Sequence, residues 1–89
     1  MNRKIAIKKY SAIAEKLINE IEGLSDSKLL EFYKKFYIEI GRKVKEGEVI
    51  EFFEETAITL IALEIDSRSK ELQKKAHDMI EDIEKELDL

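Results

Sequence analysis

The side chains able to do chemistry are few and widely spaced. The chain has one histidine, His77, and no cysteine. Nucleophilic catalysis needs a nucleophile within hydrogen-bond reach of a base, with a third group holding that base. No serine stands at an obvious triad spacing from His77, which lies between Ala76 and Asp78 on the polar edge of a helical pattern. The spacing predicts a solvent-facing histidine. His77 and Glu81 are four apart and share a helix face, which makes at most half of a metal site. The Glu-x-x-His pair of di-iron bundles is missing, because Lys74 stands three residues before His77. Arg3, Arg42 and Arg68 are the only arginines, too few to converge on a dicarboxylate substrate. Gly23, Gly41 and Gly47 are scattered and form no phosphate-cradling loop. No catalytic, metal-binding or cofactor-binding residue is assigned, and the expectation is a non-enzymatic protein with no cofactor.

One carboxylate is out of place. Glu64 falls inside the most apolar stretch of the chain, and a buried, unpaired carboxylate is costly. Arg68, four residues later, is the simplest partner.

The elements that must position these groups are all helical. Ile7, Tyr10, Ala14, Leu17, Ile21 and Leu24 recur at steps of three and four, which predicts a first helix over about residues 3–22. Gly23 suits a left-handed cap at its end. Ser25 or Asp26 can accept from the free amides of the next turn, so a second helix is expected over about 26–45. Its broad apolar face is Leu29, Leu30, Tyr33, Phe36, Tyr37, Ile40 and Val44. Gly47 suits another cap, and a third helix is expected from near Glu48. From Phe52 to Ile65 this helix is apolar almost all the way round, which calls for a central position or a covering partner. A fourth helix over about 68–87 carries Leu72, Ala76, Met79, Ile80, Ile83 and Leu87. Four helices of similar length with short turns predict an all-α, antiparallel four-helix bundle in a single domain over residues 1–89. The competing reading runs the last two helices together. Ile58, Ala62, Ile65, Leu72, Ala76, Met79 and Ile83 keep a heptad-like register interrupted only at Ser69. A single C-terminal helix of that kind would overhang the rest and require a homodimer.

Composition narrows the function classes. Of 89 residues, 40% are charged, and proline is absent. The longest uncharged run, Thr56 to Leu63, is far short of the roughly 20 residues of a membrane span. No apolar signal core follows the basic N-terminus, so a cytoplasmic protein is expected. Abundant Lys and Glu with little Asn or Gln also suit a thermophile. Net charge is −4 but uneven: residues 1–45 hold eleven Lys/Arg against six Asp/Glu, whereas residues 46–89 hold five against fourteen. Folding that sets the halves side by side would largely cancel these fields. The basic stripe on the first helix gives the nucleic-acid alternative its contacts at Lys4, Lys8 and Lys9. Against it, lysine dominates over the arginine that base readout favours, and the tyrosines lie on the apolar faces. Nucleic acid is therefore not the expected partner.

Apolar residues off the main faces point to another protein. Phe32 is at the margin of the second helix's face, and Ile38 lies almost opposite its centre. Ile58 and Ile65 are off the main stripe of the third helix. Joined in one patch, these four would form a partner-binding surface.

The order of the elements, from about residue 12 to residue 84, resembles the class II bacteriocin immunity proteins of the enterocin A immunity type. Ala14-Glu15-Lys16-Leu17-Ile18-Asn19-Glu20-Ile21 is similar to that family's first helix. Leu30-Glu31-Phe32-Tyr33-Lys34-Lys35-Phe36-Tyr37-Ile38-Glu39-Ile40 resembles its second, rich in aromatics and lysines. Lys45-Glu46-Gly47-Glu48-Val49-Ile50 looks like its turn into the third helix, and Ser69-Lys70-Glu71-Leu72-Gln73 like the start of its fourth. The resemblance implies a cytoplasmic, non-enzymatic protein that protects a producing cell by recognising a membrane sugar permease held by the cognate bacteriocin. The alternative function is a homodimeric regulator of a mobile element or archaeal virus, touching nucleic acid through the first helix.

Overall fold

The computed structural model describes the backbone of residues 3–88 and the side chains of residues 9–88. Four helices follow in order: α1 (Arg3–Glu22), α2 (Asp26–Glu46), α3 (Phe52–Arg68) and α4 (Lys70–Leu87). They form an all-α four-helix bundle. Lys43 beside Glu54 and Asp26 beside Arg68 fix α2 and α3 as antiparallel. Tyr10 against Phe52, with Arg68 against the end of α1, sets α1 alongside α3 in the same direction. Tyr37 beside Glu84, and Lys45 beside Leu87, do the same for α2 and α4.

α3 is the hub, packing against each of the other three helices. One apolar cluster runs through all four elements: Leu17 and Ile21, Leu29 and Tyr33, Ala57, Ile61 and Ile65, Leu72 and Ala76. Ile61 is fully buried at its centre. The all-round apolar character of α3 follows from this placement. The resulting body is a slab, 41 × 33 × 15 Å, about two helices thick.

The ends of the helices show why the chain turns where it does. The Ser25 hydroxyl accepts from the Lys28 amide at 3.3 Å and starts α2. Gly47, at φ 72°, ends α2 in a Schellman arrangement, with Gly47 N–H donating to Val44 O and Glu48 N–H to Lys43 O. α3 begins at Phe52, later than the expected Glu48. Glu54 accepts from the Glu51 amide at 3.4 Å, which holds the helix start there. Gly23 is also not the expected left-handed cap, since Gly47 is the only described glycine with positive φ. Instead Arg68 closes α1, its guanidinium donating to Ile21 O at 2.9 Å and Leu24 O at 2.8 Å. Gly23 and Leu24 N–H also close on Glu20 O and Ile21 O, each at 3.2 Å, so Arg68 reinforces an end that the backbone has already turned.

The long C-terminal helix is excluded. Ser69 is extended, at φ −163° and ψ 157°, and separates α3 from α4 by a single residue. Its hydroxyl accepts from the Leu72 amide at 3.1 Å, and the Gln73 amide side chain reaches back to Asp66 O at 2.8 Å. The break is capped from both sides, and the heptad-like register across it is two faces packing on one core.

Two polar links tie the elements together across this core. Arg68 also pairs with Glu64 at 3.1 Å and Asp26 at 3.0 Å, so the partner expected for Glu64 is the one found. Arg68→Met should therefore lower the unfolding free energy in urea by about 2–3 kcal/mol, because several hydrogen bonds to a charged, mostly buried donor are lost together. The Tyr37 hydroxyl donates to Glu84 at 2.7 Å. Burial, followed by this bond, pushes the Tyr37 pKa up to about 12 from its ordinary value of 10.0. The folded state then holds the Tyr37 proton more tightly than the unfolded chain does. The resulting stability is complete below pH 10 and is lost as pH rises toward 12. A tyrosinate absorbance titration of Tyr37→Phe should lack the highest-pH step, and its stability should fall less between those limits.

Candidate interaction surface

The residues expected to form one patch divide into two groups. Phe32 and Ile38 line an open groove of about 910 Å³ between the end of α1 and the outer side of α2. Leu24, from the turn joining the two helices, also lines it. Phe32 stands edge-on to Phe36, with ring centroids 5.1 Å apart, and this stacking fixes its position on the groove wall. A smaller hollow, lined by Phe32, Lys35, Phe36, Glu39 and Glu54, continues the groove toward the start of α3. Phe36 in turn meets Phe53 at 6.5 Å. Three aromatic rings therefore run from α2 to α3 along this side.

Ile65 is not part of any surface. It is 2% exposed and belongs to the central cluster, so its assignment to a partner contact is corrected. α2 and α4 both pack on α3, and Ile65 lies with Tyr33 and Ala76 where the three helices meet. Ile58 is half-buried, packs against the same cluster and is not among the residues that line the groove. The four residues do not form one patch.

The groove is apolar with a basic rim. Lys28, Lys34 and Lys35 line it, with Glu20 and Glu31. Among the described residues these three lysines enter none of the ion pairs, whereas Arg42, Lys43 and Arg68 are all engaged. Lys43 pairs with the buried Glu54, whose bond raises the lysine pKa. Glu54 is thus the buried carboxylate of α3, whereas Glu64 is half-buried, and the partner of Glu54 lies on a different helix. The sequence signal for it was a glutamate in the first turn of a helix, three residues after Glu51.

The remaining candidates stand apart from the groove. Lys9 is exposed on α1, and the side chains of Lys4 and Lys8 lie outside the described residues. His77 is exposed on α4. Among the described residues no group of three His, Asp or Glu side chains is placed to hold a metal ion. No described helix is long and apolar enough to cross a membrane.

Comparison with family models, with curated proteins and with solved structures finds no match for this chain. The functional reading therefore rests on the surface itself.

A stability measurement separates core from groove. Ile65→Ala should cost about 2–5 kcal/mol in urea unfolding, the range for a large-to-small change in a packed core. Ile38→Ala, on the groove wall, should cost under about 1 kcal/mol.

Proposed function

We propose that this chain is a non-enzymatic interaction module that holds a segment of another protein in the α1–α2 groove. The observation that carries the reading is the combination of an apolar wall, Leu24, Phe32 and Ile38, with three lysines that have no ion-pair partner among the described residues. A groove of that kind suits an amphipathic helix, whose apolar positions face the wall and whose carboxylates meet the rim. Phe32 is the anchor, being an aromatic ring already held by Phe36.

The specific role we propose is that of an immunity-type protein acting in the cytoplasm. Support comes from the resemblance to the enterocin A immunity type, which is concentrated at Ala14–Ile21 and Leu30–Ile40. Those stretches lie on the two helices that flank the groove. In this role the partner would be a membrane permease complex approached from inside the cell.

A labelled amphipathic peptide with Glu flanking Leu at helical spacing tests the groove by fluorescence anisotropy. Binding should weaken with added salt, and should fall about tenfold or more in Ile38→Glu and Phe32→Glu. No binding by the parent protein, or equal binding by both variants, would overturn the groove reading. Expression in a strain sensitive to class II bacteriocins tests the immunity role separately. Protection against one peptide of a panel, lost in Phe32→Glu, is the expected result. Failure against the whole panel would remove the immunity role and leave the groove result standing.

A further inference from the structure

α3 is enclosed on three sides by α1, α2 and α4, and its fourth side is open. That side carries Phe52, Thr56, Thr59 and Leu63. Phe52 and Leu63 are each 59% exposed, Thr59 is exposed and Thr56 is half-buried. No charged residue interrupts this stripe, although 40% of the chain is charged. Glu55 and Asp66 stand only at its edge. The Thr59 hydroxyl donates to Glu55 O at 2.8 Å, so its hydrogen is spent within the helix and its methyl is free to face outward. Tyr10, from α1, extends the stripe by meeting Phe52 edge-on at 5.0 Å.

The stripe is symmetric about its own middle. Phe52 and Leu63 lie equally far on either side of the peptide joining Ala57 and Ile58, and Thr56 and Thr59 lie equally far closer in. An antiparallel copy of the same helix would set Phe52 against Leu63 of the second copy at both ends. The small threonines would meet at the crossing point, where close approach is needed. This is the self-complementarity that a two-fold interface demands. We infer that the open face of α3 is the contact surface of a homodimer of this chain, with the two α3 helices antiparallel across a two-fold axis.

The area is consistent with that occupant. An aromatic side chain can bury about 150–250 Å². The exposed fractions of Phe52, Tyr10 and Leu63 therefore offer roughly 300 Å² of apolar surface per copy. A standard interface buries about 800 Å² per partner, a little over half of it apolar. The face supplies most of the apolar part of a small interface. A dimer with a dissociation constant in the micromolar range is expected, one that separates on dilution. The inference is independent of the groove, which lies on α1 and α2 and stays open in the dimer.

Size-exclusion chromatography with light scattering across a dilution series tests it. The parent protein should show twice the 10.4 kDa of one chain at high concentration and approach the single-chain mass on dilution. Phe52→Lys and Leu63→Glu should each remain at the single-chain mass, with circular dichroism confirming that both are folded. An equal mixture of the two variants should recover the doubled mass. In the mixed dimer one end joins the introduced lysine to the introduced glutamate, and the other end keeps the original Phe52–Leu63 contact. A parent protein that stays at the single-chain mass throughout would overturn the homodimer. Dimeric single variants would place any dimer contact elsewhere, and a mixture without recovery would overturn the antiparallel pairing. Ile38→Glu should dimerise like the parent, so failure of the groove and failure of this face are read separately.

Discussion

The guanidinium of Arg68 is the point on which the arrangement of helices depends. It sits at the end of α3, 17% exposed, and reaches the last carbonyls of α1, the first turn of α2 and Glu64 on its own helix. A planar donor fork can satisfy several acceptors at fixed angles, which a lysine could not do. α1 has no left-handed glycine cap, and this side chain reinforces the backbone bonds that close its end. The same contacts set the α1–α2 turn against the end of α3, and that turn supplies Leu24 to the groove.

With this end of the molecule pinned, α3 becomes an axle with different surfaces around it. Three sides build the core, and Ile61 and Ala57 are wholly covered there. The opposite end is held by Lys43 with Glu54 and by Lys45 with the Leu87 carbonyl. These contacts join the basic first half of the chain to the acidic second half. The field of the whole is thus partly cancelled inside one molecule. In the proposed role, an acidic partner would meet three local cations rather than the net charge, which is −4.

Much of this was legible in the residues, for identifiable reasons. Periodicity located four helices, and Ser25 and Gly47 marked their boundaries because their cap chemistry is local. Glu64 with Arg68 was legible because both lie on one helix. Phe32 and Ile38 were legible because α2 has a clear polar side from which they depart. What failed depended on neighbours that are distant in sequence. Gly23 read as a cap, but Arg68, more than forty residues away, replaced it. Ile65 read as surplus because a helical wheel of α3 has no polar side to orient it. Its true open side is marked by Thr56 and Thr59, the two polar positions of the uncharged run Thr56–Leu63, and a search for exposed apolar residues passes over threonine. Phe52 was hidden in the same way, and the start of α3 lay four residues later than its acidic flank suggested.

The joint at Ser69 imposes a rule on chain length. One residue in extended conformation separates two helices whose buried faces meet on a common core. Each residue of a helix turns the side chains by about 100°. Adding a residue at this joint would put Glu71, Lys75 and Asp82 where Leu72, Ala76 and Ile83 now pack, and removing one would put Gln73, His77 and Glu84 there. The extended stretch after Gly47 has several residues with which to absorb such a change. Length variation among descendants of this chain would therefore gather between α2 and α3 and be purged between α3 and α4, whatever residues occupied either place.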